Sequence, residues 1–158
     1  MKKTILFISL IATTFFSFAA KSDYLGIWKS QAAKSGNIAT IKIFEANNKL
    51  YGNIIGMTHP KKDDKNPDKS KRNRDIVGIT IISSFTYDKN NDSFENGAIY
   101  DPETGKTYYC SLKLENHNTL KVHGYVAGIK LLGRTVIWKR KKEVDIINMC
   151  LKKKKEGK

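Results

Sequence analysis

The sequence predicts an all-β protein, a single antiparallel up-and-down barrel of about eight strands with a short C-terminal helix appended. Three observations carry this. Apolar and polar residues alternate at period two through most of the chain, with little helical periodicity. Compact turn signals separate the alternating runs. With 158 residues, the chain has room for one ordinary domain and one core. Sequential antiparallel strands of that number close on themselves and so remove exposed edges.

The elements follow in order. The chain opens MKKTILFISLIATTFFSFAA, in which Lys2 and Lys3 form a basic start and Ile5 to Phe18 an apolar run too short to span a bilayer comfortably. Ser17 and Ala19 then supply small residues at the −3 and −1 positions of a cleavage site. This reads as a secretory signal peptide, residues 1–19, cut after about Ala19. It leaves a barrel domain over residues 20–141 and a basic extension over 142–158, outside the cytoplasm, periplasmic or secreted. No cysteine follows the apolar run, which argues against a lipoprotein.

The first strand covers about Leu25 to Ala32, and the second, residues 37–46, puts Ala39, Ile41 and Ile43 on one face. Asn47 and Asn48 suit the positive φ of a tight hairpin before a third strand over 50–57. A polar loop over 58–75 follows, carrying seven Lys or Arg and four Asp. The β pattern resumes over 78–87 and, after the turn 88–92, over 94–100. Strands over 106–115, 120–127 and 133–140 complete the set. A barrel of this size is just wide enough to fill with side chains or to hold one small ligand.

The stretch Gly97 to Cys110 gathers two acids, a lysine, a threonine and a thiol. Asp101-Pro102-Glu103-Thr104-Gly105 is nevertheless turn chemistry. Asp accepts backbone hydrogen bonds, Pro presets φ, and Gly supplies a positive φ at the exit. A catalytic carboxylate pair needs a proton-exchanging partner, and Cys110 has no neighbouring histidine to activate it. The chain carries no phosphate loop, triad signature or redox motif, so no enzyme and no cofactor is expected.

Val144, Ile147 and Leu151 recur at helical spacing in the tail, and the last lysines read as a solvated end. Cys110 and Cys150 are the two cysteines. In an oxidising compartment they permit a disulfide that would pin the tail to the barrel; one buried and one exposed thiol is the other arrangement. Loss of Lys2 and Lys3 with the leader lowers the formal net charge from +14 by two, to +12. A partner of opposite charge is implied: an envelope polymer, lipid headgroups or an acidic ligand. Secretion argues against nucleic acid.

Within the basic loop, Arg72 and Arg74 are the candidate contacts for an anionic ligand, because they border the next strand and Arg binds bidentately. A solvated, partly charge-balanced loop is the plainer alternative. Asp64, Asn66, Asp68 and Asp75 mimic calcium-loop spacing, but Lys69 stands where the turn needs Gly and Pro67 restricts the backbone. No metal site is predicted there. His59, His117 and His123 are scattered and show no zinc spacing.

The segments NGAIYDPETGKTYYC and LKVHGYVAGIKLLGRTVIWKR, with YLGIWKS before them and DKNPD…RNRDIVGITII between, resemble the secreted bacterial family known as domain of unknown function 2147. The likeness covers about Asp23 to Arg140 and implies a compartment and a fold rather than an activity. His123 stands where the family pattern has an Arg. A looser similarity is to lipocalin- or calycin-type barrels, which carry Gly-x-Trp on the first strand and an Arg on the last that stacks over the Trp. That similarity implies Gly26, Trp28 and Arg134 as structural residues closing one end of the barrel. By analogy of fold, the expected function is to bind a small apolar or amphipathic ligand in the barrel. The alternative is an envelope interaction module that uses the basic loop and tail on anionic surfaces.

Overall fold

A computed structural model of the chain describes residues 21–126, 129–142 and 145. The predicted leader, the tail helix and Cys150 lie outside the described residues. Eight strands form a closed barrel in chain order: β1 (Gly26–Lys29), β2 (Ala39–Ala46), β3 (Lys49–Met57), β4 (Thr80–Asp88), β5 (Ser93–Asp101), β6 (Lys106–Asn116), β7 (Thr119–Tyr125) and β8 (Arg134–Arg140). Every pairing is antiparallel, and β8 returns to β1 through Trp28 opposite Arg140 and Lys29 opposite Lys139. No helix among the described residues is long and apolar enough to cross a membrane.

The turns follow their residues. Asn47 and Asn48 take φ of 50° and 57°, the twist a two-residue hairpin needs, and Ala46 pairs with Lys49 across them. At the Asp101–Gly105 turn, the Gly105 N–H donates to the Asp101 carbonyl at 2.8 Å, and the Asp101 carboxylate accepts from the Glu103 N–H at 3.0 Å. Gly105 has φ 70°, and a Cβ there would stand 1.9 Å from the Lys65 carbonyl oxygen. β1 is shorter than the alternation implies. The chain leaves the barrel at Ser30, whose hydroxyl accepts the Ala39 N–H at 2.9 Å.

Alternation turns one side of each strand into a common core. Trp28, Ile41, Ile43, Leu50, Ile82, Phe85, Phe94, Leu112 and Leu120 are all buried there. Packing in this half is tight: a Cβ on Gly97 would fall 2.0 Å from the Phe85 ring, and one on Gly52 would touch Ile82 and Ile41. Only the absence of side chains at these two positions lets the neighbours occupy the axis. Ala39, Met57, Ile99 and Val136 toward the other end pack on the core and are partly buried, as are Tyr87 and Leu114 at the closed end.

Candidate functional site

Three places gather chemistry-bearing residues: the closed end of the barrel, the 58–75 loop and the open end. At the closed end Trp28 is fully buried, and its indole N–H donates to the Tyr24 carbonyl at 3.0 Å. The cation over its face is Arg140, with Cζ 4.2 Å from the ring centroid. This corrects the assignment of that role to Arg134. Arg134 begins β8 opposite Gly124, and six residues of strand, roughly 20 Å, separate the two arginines. Arg140 also donates to the carbonyls of Leu25 at 2.8 Å, His117 at 2.7 Å and Asp23. One side chain thereby ties the N-terminal turn, β1 and the β6–β7 turn together. Gly26 fits beneath it: its φ is 121°, and a Cβ would lie 3.0 Å from Arg140 Nη1.

The 58–75 loop is folded, not structureless. Lys62 and Asp75 pair as an antiparallel bridge, and a 3-10 turn at Lys69–Lys71 is capped by the Asp68 carboxylate. Its centre is Asp63, which is fully buried. The Tyr100 hydroxyl donates to Asp63 Oδ1 at 2.5 Å, and the Asn66 amide to Oδ2 at 2.7 Å. Arg74 donates to Oδ2 from Nε and Nη2, at 3.0 and 2.8 Å. Burial pushes the Asp63 pKa up, but the bonds from Tyr100, Asn66 and Arg74 outweigh it and hold the carboxyl below its usual range. Burial, then the bond to Asp63, raises the Tyr100 pKa to about 12.

This changes what the loop's cations can do. Arg74 is occupied by Asp63, and Arg72 Nε donates to the Asn66 carbonyl at 2.8 Å. Lys61, Lys62, Lys65 and Lys71 face Glu103, Asp75, Asp64 and Asp68. Five of the loop's seven cations therefore sit against carboxylates, which matches the charge-balanced alternative. Asn66 and Asp68 are turned to local hydrogen bonds, and among the described residues no three His, Cys, Asp or Glu side chains gather as a metal site.

Cys110 lies in the core without exposure and has no disulfide partner among the described residues. Burial drives its thiol pKa up, so it is a poor nucleophile. His123 is fixed on the barrel surface, its ring nitrogens 2.8 Å from Thr135 Oγ1 and the Lys130 carbonyl. A polar groove of about 440 Å³ lies on the β4–β5 hairpin, lined by Thr86, Asp88, Asn91, Glu95, Asn96 and Lys130.

The open end differs in kind. Continuing the alternation from Cys110 and Leu112 turns Tyr108 inward, opposite Ile99. Val136 takes the same side as buried Trp138, and Arg134 follows two residues further out, exposed beside Gly124. A Cβ on Gly124 would come into ordinary van der Waals contact with the Ile99 methyl and Tyr108 Cβ, both at 3.8 Å. These partly exposed apolar side chains can take an apolar group from water, and Arg134, exposed beside them, can meet an anionic head.

Comparison with known proteins agrees with this architecture. The family model described as "Uncharacterized protein conserved in bacteria (DUF2147)" matches residues 26–140. Among solved structures, Protein HP1028 from the human pathogen Helicobacter pylori, described as belonging to the lipocalin family, is similar at 28% identity and a TM-score of 0.72. The match covers 78% of this chain and 86% of that one. No curated protein matches the chain.

Proposed function

We infer that this chain, which belongs to that uncharacterised bacterial family and has a lipocalin-like barrel, is a periplasmic or secreted binding protein rather than an enzyme. Its ligand is small and apolar or amphipathic, and it is held at the open end of the barrel. The observation that carries the reading is inward apolar surface left partly exposed away from Trp28: the core is filled around Phe85 and Trp28, whereas Ile99, Tyr108 and Val136 are only partly buried. Exposed apolar surface in a concave site is where binding removes most area from water. The neighbour's description as a lipocalin supports the same reading. The leader sequence supports the compartment.

The test is native mass spectrometry of the mature protein purified from its own envelope fraction, then solvent extraction. The expected result is a stoichiometric adduct that extracts as an amphiphile and is lost in Val136→Trp, which fills the open end. A clean apo mass at both low and high salt would end the reading. N-terminal sequencing of the same sample should start near Ala20.

A further inference from the structure

The large hydrophobic side chains that are exposed among the described residues fall in one place. They are Tyr109 at 56% exposure, Val126 at 48%, Ile129 at 49%, Leu131 at 93% and Leu132 at 65%. Four belong to the β7–β8 connection. The fifth, Tyr109, pairs with Tyr125 in register, and the two rings stack 5.9 Å apart.

The connection holds these side chains outward. The Leu132 N–H donates to the Ile129 carbonyl at 3.1 Å and the Gly133 N–H to that of Lys130 at 3.2 Å, a 3-10 turn. The His123 ring holds the Lys130 carbonyl from below, and the Lys130 ammonium reaches Glu95 Oε2 at 2.6 Å. A Cβ on Gly133 would lie 2.5 Å from His123 Nε2, so the turn packs closely on β7. Leu131 and Leu132 sit on the far side of that anchor. Exposing two leucines is costly unless something covers them.

Charge selects the cover. From Val126 through Lys142 the sequence contains no acid, and Arg134 at the start of β8 forms no ion pair among the described residues. A second copy of so basic a chain would be repelled. An anionic bilayer satisfies both halves of the surface: acyl chains take the leucines and headgroups attract the cations.

We propose that the β7–β8 connection is a peripheral docking loop that inserts Leu131 and Leu132 into an anionic lipid surface, with Arg134 at the headgroups. Because Arg134 and Gly124 also border the open end, docking turns that end toward the bilayer. The proposal shares only Arg134 with the ligand reading, rests on Leu131 and Leu132, and does not require that reading.

The experiment is co-sedimentation of the mature protein with vesicles of equal parts phosphatidylglycerol and phosphatidylcholine, and with phosphatidylcholine alone. Leu131→Ser/Leu132→Ser should bind the anionic vesicles at least about tenfold more weakly, since both apolar anchors are gone. Its thermal midpoint should match wild type, because both side chains are already in water. Leu131→Trp should shift its emission to the blue on anionic vesicles only, against a constant background from buried Trp28 and Trp138. Equal binding by the double serine variant would overturn the proposal, since body charge alone would then suffice. So would failure of the wild type to bind anionic vesicles. A concentration-dependent dimer in sedimentation velocity that the serine variant abolishes would give the surface to a second copy instead.

Discussion

Replacing Arg140 by Ala should destabilise the protein far more than replacing Arg134 by Ala. Arg140 lies 4.2 Å over the Trp28 ring, a partly desolvated contact of about 1–2 kcal/mol. Its donations to the carbonyls of Leu25, at 2.8 Å, and His117, at 2.7 Å, are charge-assisted, and such bonds contribute about 1.5 kcal/mol each. The His117 bond is exposed, so water replaces much of it, and contacts sharing one side chain do not add fully. The expected loss is therefore about 3 kcal/mol, a fall of roughly 9 °C in Tm for a domain of this size. Arg140→Lys should recover part of it by keeping the charge and losing the fork. Arg134→Ala should leave Tm where it is, since that side chain is exposed. Differential scanning calorimetry of the three variants checks this. Equal losses for Arg140→Ala and Arg134→Ala, or a loss below about 1 kcal/mol for the former, would refute a closing role for Arg140.

Three further outcomes are expected. Asp63→Asn should lower the urea midpoint by removing the charge that Arg74 and Tyr100 face. Because the folded Asp63 pKa lies below its unfolded value, the stability it contributes is present above the unfolded pKa, near 3.8, and is lost as pH falls below it. The wild-type advantage over Asp63→Asn should accordingly shrink in acid, and an advantage independent of pH would remove the electrostatic account. Gly97→Ala forces a methyl onto the Phe85 ring and should cost about 3 kcal/mol or prevent folding, read from soluble yield and urea unfolding. A Phe85→Leu second change should recover part of that loss if the clash is the cause. In a Cys150→Ser background, Cys110 should resist a disulfide thiol reagent until denaturant is added, because it is buried and its thiolate disfavoured. Rapid reaction in the folded protein would contradict that burial.

Much of the fold is legible in the chain because its signals are local. Asn47-Asn48 and Asp101–Gly105 carry their turn conformations in their own side chains and φ preferences. Period-two alternation then marks the strands and which side of each is inward. The filled core half follows from Ile41, Ile43, Leu112 and Leu120 falling on that side. The site residues were harder to read. Asp63 looks like one acid among several in a basic loop, and nothing near it announces that Tyr100, 37 residues on, donates to it. Leu131 and Leu132 fall between the strands expected over 120–127 and 133–140, and only the turn at Lys130–Leu132 shows that they are exposed.

Arg134 and Arg140 show where the boundary lies. They are six residues apart on one strand, so alternation places both on the same side, and each could serve as the arginine over Trp28. Alternation fixes a face but not a height along the barrel. Height depends on the stagger between β8 and β1, which arises only when all eight strands close and pair Trp28 with Arg140. By itself the sequence determined an eight-stranded barrel and a tryptophan in need of a cation. Closure of the barrel chose Arg140 to seal one end and left Arg134 at the other.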